Sequence, residues 1–400
     1  MIQRYLFAVL LLLPPVLCAT EWSSELGIEG RYFFEDPLDP RQHDNNLSLT
    51  FESEYYHDWQ QGEQRFVFTP YVRLDQHDSE RSHFDLRELY WRRTFGDSDL
   101  YIGLRKVFWG VTESLHLVDI INQSDLVENL DGEDKLGQPM VSLSHQNEWG
   151  QWELFVMPWF RERTFAGVEG RLRTPLIVES DYSQYRSGDE EEHIDSALRW
   201  SHVIDDWDLG LSWFHGTDRT PQLQPATINN GNVVLQPYYA QLDQLGLDLQ
   251  YTYDSWLWKL ESVARRHDSG VSPTLKRSSA AVGGIEYTWY GILPAATDVG
   301  LVLEYQYDSR DGSDAPSANN DIAIGTRITF NDVQDTTLLA LVATDLDHRA
   351  RFISIEGSRR LGETMSVTLE ARLFSNTQPQ TLLYPLRDDD YLEIVLTHYF

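Results

Sequence analysis

Cysteine is almost absent: Cys18 is the only one in 400 residues, and it sits inside an apolar leader. The chain beyond it has no thiol, which excludes disulfides, Cys-ligated zinc and thiol catalysis there. Basic residues are scarce, with 32 Lys and Arg against 63 Asp and Glu and a formal charge of −31. That balance argues against nucleic acid as a partner, because phosphate binding needs clustered cations. After the leader, no stretch approaches the ~20 apolar residues of a spanning helix, so any membrane crossing must be made by strands. Helical periodicity is hard to find, and there is no Gly-x-Ser-x-Gly elbow and no spaced-ligand calcium loop. No cofactor or metal site is expected.

Residues 1–19 read as a secretory signal peptide. Arg4 supplies the positive start, Leu6 to Leu13 the apolar run and Val16 to Ala19 the small-residue exit. A transmembrane anchor is disfavoured because the run is short and Pro14-Pro15 breaks it. Pro15-Val16-Leu17-Cys18 is a poor lipidation signal. The folded part is therefore expected to be 20–400.

What the chain does have is 41% hydrophobic residues, with 13 Trp, 20 Tyr and 17 Phe, enough to fold despite its acidity. From Glu25 onward one unit recurs: about ten residues of period-two alternation, then a turn. Leu47, Leu49 and Phe51 alternate with Ser48, Thr50 and Glu52; Trp152, Leu154 and Val156 oppose Gln151 and Glu153. Leu245, Leu247 and Leu249 face away from Gly246, Asp248 and Gln250, and Leu301, Leu303 and Tyr305 face away from Glu304 and Gln306.

Eighteen such strands can be placed, near 25-34, 45-57, 63-76, 82-95, 98-108, 139-148, 151-160, 193-203, 206-217, 236-253, 256-267, 277-290, 297-308, 321-331, 335-345, 349-361, 363-374 and 390-400. Sixteen is the alternative count. Short turns such as Asp205-Asp206 alternate with long polar segments at 109-138, 161-192, 218-235 and 375-389, and Trp149, Trp152, Trp207, Trp256, Trp258, Trp289 and Tyr290 crowd strand ends. The expectation is an all-β fold, one antiparallel transmembrane β-barrel of 16–18 strands. A soluble sandwich also has one apolar face, but this series is unbroken and its polar face is heavily ionised. The last strand places Leu392, Ile394, Leu396 and Phe400 on one face, and Tyr391, Glu393, Thr397 and Tyr399 on the other. Ending on Phe400, it resembles the closing strand of bacterial outer-membrane barrels, and its partner should be the strand carrying Leu26 and Ile28. His398 is the odd polar residue in the lipid-facing row.

If apolar faces meet lipid, Glu52, Glu54, Glu153, Asp208, Asp248, Glu261, Glu304, Glu370 and Glu393 line the lumen, with Lys259, Arg265, Arg327 and Arg372 as the main bases. A barrel this wide cannot fill its interior with strand side chains, so an aqueous channel is the default, and the acid excess favours cations. The long segment 109-138 carries Leu115, Leu117, Val118, Ile120, Ile121, Leu126, Val127 and Leu130, too apolar for an exposed loop. It either folds into the lumen or caps the mouth. Folded inward, it would set Asp119, Asp125 and Glu128 against Arg105, Lys106, Arg161, Arg163, Arg171 and Arg173 at a constriction.

The run Gly103-Leu-Arg-Lys-Val-Phe-Trp-Gly-Val-Thr-Glu-Ser, then Ile121-Asn-Gln-Ser-Asp and Leu136-Gly-Gln-Pro-Met140, resembles a family of large porin-like bacterial outer-membrane barrels over roughly 103–158. Gln123 stands where that pattern has Pro. The resemblance implies a passive channel or export barrel and supplies no substrate. The function expected is therefore a porin-like channel in a Gram-negative outer membrane, passing small hydrophilic or ionic solutes with a lean towards cations. The partners expected are membrane lipid, lipopolysaccharide, the barrel-assembly machinery and those solutes. The alternatives are a barrel enzyme, for which His77-Asp78-Ser79 and His267-Asp268-Ser269 are weak candidate sets, and a structural or adhesive barrel.

Overall fold

The computed structural model describes residues 19–228, 231–268, 275–293, 296–311 and 316–400. The expected leader therefore lies outside the described residues, apart from the backbone of Ala19. Among them, eighteen antiparallel strands close into one sheet. In chain order they are Ala19–Phe33, Asn45–Trp59, Gln64–Asp75, His83–Phe95, Ser98–Arg105, Gln138–Asn147, Gly150–Met157, Asp195–Ile204 and Trp207–Thr217. Gln241–Tyr253, Trp256–Asp268, Leu275–Leu293, Thr297–Asp308, Asn320–Thr329, Thr337–Asp345, Arg351–Arg360, Met365–Ser375 and Tyr391–Tyr399 complete the ring. Each strand pairs with the next, and the last returns to the first with Ile28 opposite Leu396 and Gly30 opposite Ile394. Closure removes the unpaired edge that an open sheet of this length would carry. No helix among the described residues is long and apolar enough to cross a membrane.

Alternation decides which way each side chain points. Ile28, Leu49, Phe51, Leu154, Leu211, Leu245, Leu303, Ile324 and Ile394 all stand exposed on the outer surface. Their neighbours Glu29, Ser48, Phe155, Asp248, Glu304 and Glu393 are buried on the inner one. An outer wall this apolar is stable against hydrocarbon, not water. Trp149, Trp152, Trp207, Trp256, Trp258 and Trp289 gather at the short-turn end, where amphipathic rings suit a membrane interface. His398 does sit in the outward row, and its ring stacks on Phe400 at 5.7 Å.

Several expected strands have other bounds: the one placed at 25-34 begins at Ala19, and the one placed at 151-160 stops at Met157. The one placed at 98-108 stops at Arg105, where the chain leaves the wall. The one placed at 236-253 is two strands: Val233–Tyr239 and Gln241–Tyr253. The first belongs to a separate three-stranded sheet with Gln222–Thr227 and Gln184–Tyr185, built from loops on the long-loop side of the barrel. The alternation runs on through Ala240, so pattern alone could not show where the chain turns from that sheet into the wall. The same sheet occupies part of 218-235, expected to be wholly irregular.

Between the fifth and sixth strands, residues 106–137 fold into the barrel. At the loop's base, Asn122 accepts the N–H of Val107 and donates to the carbonyls of Arg105 and Leu136, each at 2.8 Å, which ties both ends of the loop together. Its apolar stretch explains the inward choice. Trp109, Leu117, Val118, Ile120 and Ile121 are buried against Met140, Phe155, Phe214, Leu242, Val263 and Val282 of the wall. Burying these large side chains, at ~25 cal/mol per Å², favours the inward position over one that leaves them in water.

Candidate functional site

The inward loop reaches opposite sides of the ring. One end touches the third and fourth strands. There Glu128 bridges to Arg73 at 2.5 Å and accepts the Tyr71 hydroxyl at 2.8 Å, while Asp125 bridges to Arg87 at 2.8 Å. The other end touches the eleventh and thirteenth. Glu261 accepts the N–H groups of Val111 (2.8 Å), Thr112 and Val118 (3.2 Å each), and Glu304 accepts those of Glu113 and Ser114 (2.8 Å each). A third support comes from the seventeenth strand, where Arg372 meets Asp131 at 3.0 Å and Glu370 accepts from Asn129 at 3.1 Å. Around the eighteen-strand ring Arg73 lies eight places from Glu261 and, going the other way, eight places from Glu304, so the loop spans the lumen as a septum.

Asp119, Asp125 and Glu128 are brought to this septum, each buried and each held by a cation. Asp119 pairs with Lys135 of its own loop at 3.0 Å; burial raises its pKa and Lys135 offsets this only in part. Burial also pushes Glu128 up, but Arg73, Arg81 and Arg87 outweigh it and hold the carboxyl below its ordinary range. These partners are not the bases anticipated from sequence. Arg161 meets Asp85 at 2.8 Å and the Gly137 carbonyl. Arg171 is locked against Asp389 (2.6 Å) over the Phe33 ring and lines one cavity with Glu128 without pairing to it, and Arg173 binds Asp39 (2.8 Å). Arg163 does reach the septum, donating to Gln123 at 3.2 Å and to Thr220. Arg105 lies over the Tyr101 ring at 3.8 Å and donates to Ser142, and the Lys106 side chain is exposed.

The cations that matter most, Arg73, Arg81 and Arg87, escaped the sequence reading. Arg73 shares a strand face with Tyr71 and Asp75, which the alternation does reveal. Arg87 is harder to place because the register shifts opposite Thr69 and Pro70, so Arg87 and Glu88 both turn inward. The bulge lets Pro70 sit in a strand without leaving a ladder bond unmade. Around Glu29 a different trio converges: Arg73 at 2.6 Å, Arg81 at 2.7 Å and Arg31 at 3.7 Å, with Arg31 also gripping Glu393 at 2.5 Å. One network thus joins the first, third, fourth and last strands to the loop.

A different set of inward carboxylates has no such compensation. Glu25 and Glu52 stand directly opposite each other on the first two strands, with Glu54 two residues on and Glu88 on the fourth. Among the described residues none of the four forms an ion pair, and Glu88 accepts only the backbone N–H of Lys106 at 3.2 Å. Like charges directly opposite in a ladder repel unless a cation intervenes.

His77 of the candidate His77-Asp78-Ser79 set is stacked on His43 at 3.7 Å, and Asp78 spends its carboxylate on the N–H groups of Gly167 and Glu80. The other set ends at Ser269, outside the described residues. Among the described residues, two clusters have ligand atoms close enough for an ion: His83, Asp125 and Glu128, and the three carboxylates of Asp131, Glu356 and Glu370. Arginines already neutralise both, so neither is a candidate metal centre.

No family model matches this chain, and no curated protein does. Solved structures share its fold. Pseudomonas aeruginosa OccK11 (OpdR) is similar with a TM-score of 0.54 at 11% identity, over 96% of each chain. A loop-deletion mutant of OmpT, an outer membrane protein of Vibrio cholerae, is similar with a TM-score of 0.50 at 10% identity, over 96% of this chain and 99% of that one.

Proposed function

We propose that this chain is a bacterial outer-membrane channel, carried out of the cytoplasm by the leader at 1–19, through which small hydrophilic or ionic solutes diffuse passively with a preference for cations. The septum carries this reading: a loop that crosses the lumen and is fastened to opposite walls narrows a wide barrel into a selective passage. Asp119, Asp125 and Glu128 sit in that septum. Because arginine or lysine neutralises each, the cation preference is assigned chiefly to Glu25, Glu52, Glu54 and Glu88, none of which is neutralised by a direct ion pair among the described residues. Arg105, Lys106, Arg161 and Arg163 supply the opposing positive field, while Arg171 and Arg173 brace the outer loops. The outer wall meets membrane lipid, and the long loops meet lipopolysaccharide. The barrel-assembly machinery would install it, with Leu392, Ile394, Leu396 and Phe400 on the closing strand. No chemistry is assigned to it as an enzyme.

The test is conductance in a planar bilayer. Purified, heat-modifiable protein should insert and give discrete steps in potassium chloride, and a salt gradient should give a reversal potential of cationic sign. Insertion without current would sink the channel reading, and turnover of lipid or peptide by such protein would promote the barrel enzyme instead.

A further inference from the structure

The apolar part of the septum, Leu117 to Ile121, is held by packing, but the segment before it is polar and has little to bury. Its attachment is electrostatic. Four successive N–H groups, from Val111, Thr112, Glu113 and Ser114, point at two wall carboxylates, and the Val118 N–H returns to the first of them. Glu261 and Glu304 are 0% and 1% exposed, so these bonds form out of water, where a charged acceptor is strongest. The Thr112 hydroxyl donates to Glu261 at 2.7 Å, and the Ser114 hydroxyl donates to Glu304. Gln306 donates to that same Ser114 hydroxyl at 2.6 Å, and Arg327 grips Glu113 at 2.6 Å. Gly110 makes the turn possible: its φ is +154°, and a Cβ there would lie 2.8 Å from His116 Nδ1 and 3.0 Å from Glu261 Oε1. The backbone has been shaped into a nest for two anions that belong to the barrel itself.

We infer that Glu261 and Glu304 are the latch of the septum: they are positioning residues that hold 111–118 across the lumen and so set the width and steadiness of the passage. This rests on the channel reading. A lumen carboxylate is ordinarily free to attract passing cations; these two cannot, because all their oxygens are spent on the loop. Without them the polar segment would keep only Arg327 and Gln306 on the wall and Val118 would lose its N–H acceptor, so the loop would loosen from Val111 to Val118 while Ile120 and Ile121 stayed docked.

The experiment compares wild type with Glu261→Gln/Glu304→Gln, a pair that keeps side-chain volume but removes both charges and replaces one acceptor oxygen of each side chain with a donor facing the same N–H groups. Heat-modifiable migration establishes that the barrel has formed, and Gly110→Ala provides a second way to disturb the turn, crowding Glu261 while leaving both carboxylates in the chain. The expected result is loss of a single quiet open level and a rise in mean conductance. A tether then asks whether the loop is the cause. A Cβ built at Gly246 lies 3.7 Å from that of Val118, within disulfide range, once the Ser212 hydroxyl rotates aside. Val118→Cys with Gly246→Cys, added to the Gln pair and oxidised, should restore the quiet level, and reduction should release it.

A folded Gln pair with wild-type conductance and noise would overturn the latch, as would an altered conductance that the oxidised tether leaves unchanged. Hydrogen exchange needs no current. The amides of 111–118 should exchange at least about tenfold faster in the Gln pair, the equivalent of losing one charge-assisted bond. If wild type carries no current but exchange accelerates, the channel reading fails and the latch stands. Unchanged exchange removes the latch whatever the current does.

Discussion

Arg73 of the third strand places its Nη2 2.5 Å from Oε2 of Glu128, and both side chains are less than a tenth exposed. Desolvating two charges is expensive, so the pair is worth most when intact and costs most when broken singly. Glu128→Ala would leave Arg73 only Glu29 and take from Tyr71 the acceptor of its hydroxyl. We expect a loss of about 3 kcal/mol in urea unfolding from lipid vesicles. Arg73→Met combined with Glu128→Leu should cost less than the single change. If the double variant is the less stable of the two, the pair is holding the loop by more than charge compensation.

The origin of cation preference separates two groups of acids. Neutralising Asp119, Asp125 and Glu128 also takes the close counter-ions of Lys135 and Arg87 and leaves Arg73 with Glu29 alone, so that set raises local positive charge while unsettling the loop. Neutralising Glu25, Glu52, Glu54 and Glu88 as glutamines removes charge that no direct ion pair neutralises among the described residues. The reversal potential in a potassium chloride gradient should move towards zero for the glutamine set, with the loop intact by hydrogen exchange. An unmoved potential would return the selectivity to the septum.

Much of this architecture was legible because a strand's period is two and the outer face of a barrel must be apolar. The pattern at Leu245, Leu247 and Leu249 assigns Asp248 to the lumen with no further information. The inward fold of 106–137 was half-legible: Val118 and Ile121 demanded cover, but composition could not say whether the wall or the mouth supplied it. The ion partners were illegible. Which arginine meets Glu128 depends on register across the ring and on a one-residue bulge opposite Pro70, and neither leaves a periodic trace. Glu261 and Glu304 were legible as lumen acids, but not as acceptors for N–H groups some 150 and 190 residues earlier.

His116 makes the septum's attachment depend on pH. Burial alone would lower its pKa, but pairing with the carboxylates of Glu133 (3.0 Å) and Glu261 (3.6 Å) outweighs that and holds it up at about 10. A raised histidine stabilises the fold most when protonated in both states. Its contribution is therefore full below about 6.5 and is lost as pH climbs through about 10. Open-channel noise should thus grow between pH 7 and pH 10 in wild type. His116→Asn should flatten that dependence and be noisier at pH 7. A profile that His116→Asn leaves unchanged would assign the titration to another group.

Closure depends on the last strand, and its two faces predict opposite sensitivities. Phe400 exchanges two backbone bonds with Ser24, each at 2.9 Å, and its ring packs beside His398 on the outer surface. Deleting it removes both bonds at the seam between first and last strands, so the fraction of protein reaching the heat-modifiable form should fall. Ile394 is 46% exposed towards lipid near the middle of the strand, and Ile394→Lys should cost about 2–4 kcal/mol by exposing a charge to hydrocarbon. Thr397 faces inward near the short-turn end, and Thr397→Lys should be nearly silent because its ammonium can stay in water. Equal losses at Ile394 and Thr397 would mean that the strand is not seated with its apolar row in the bilayer.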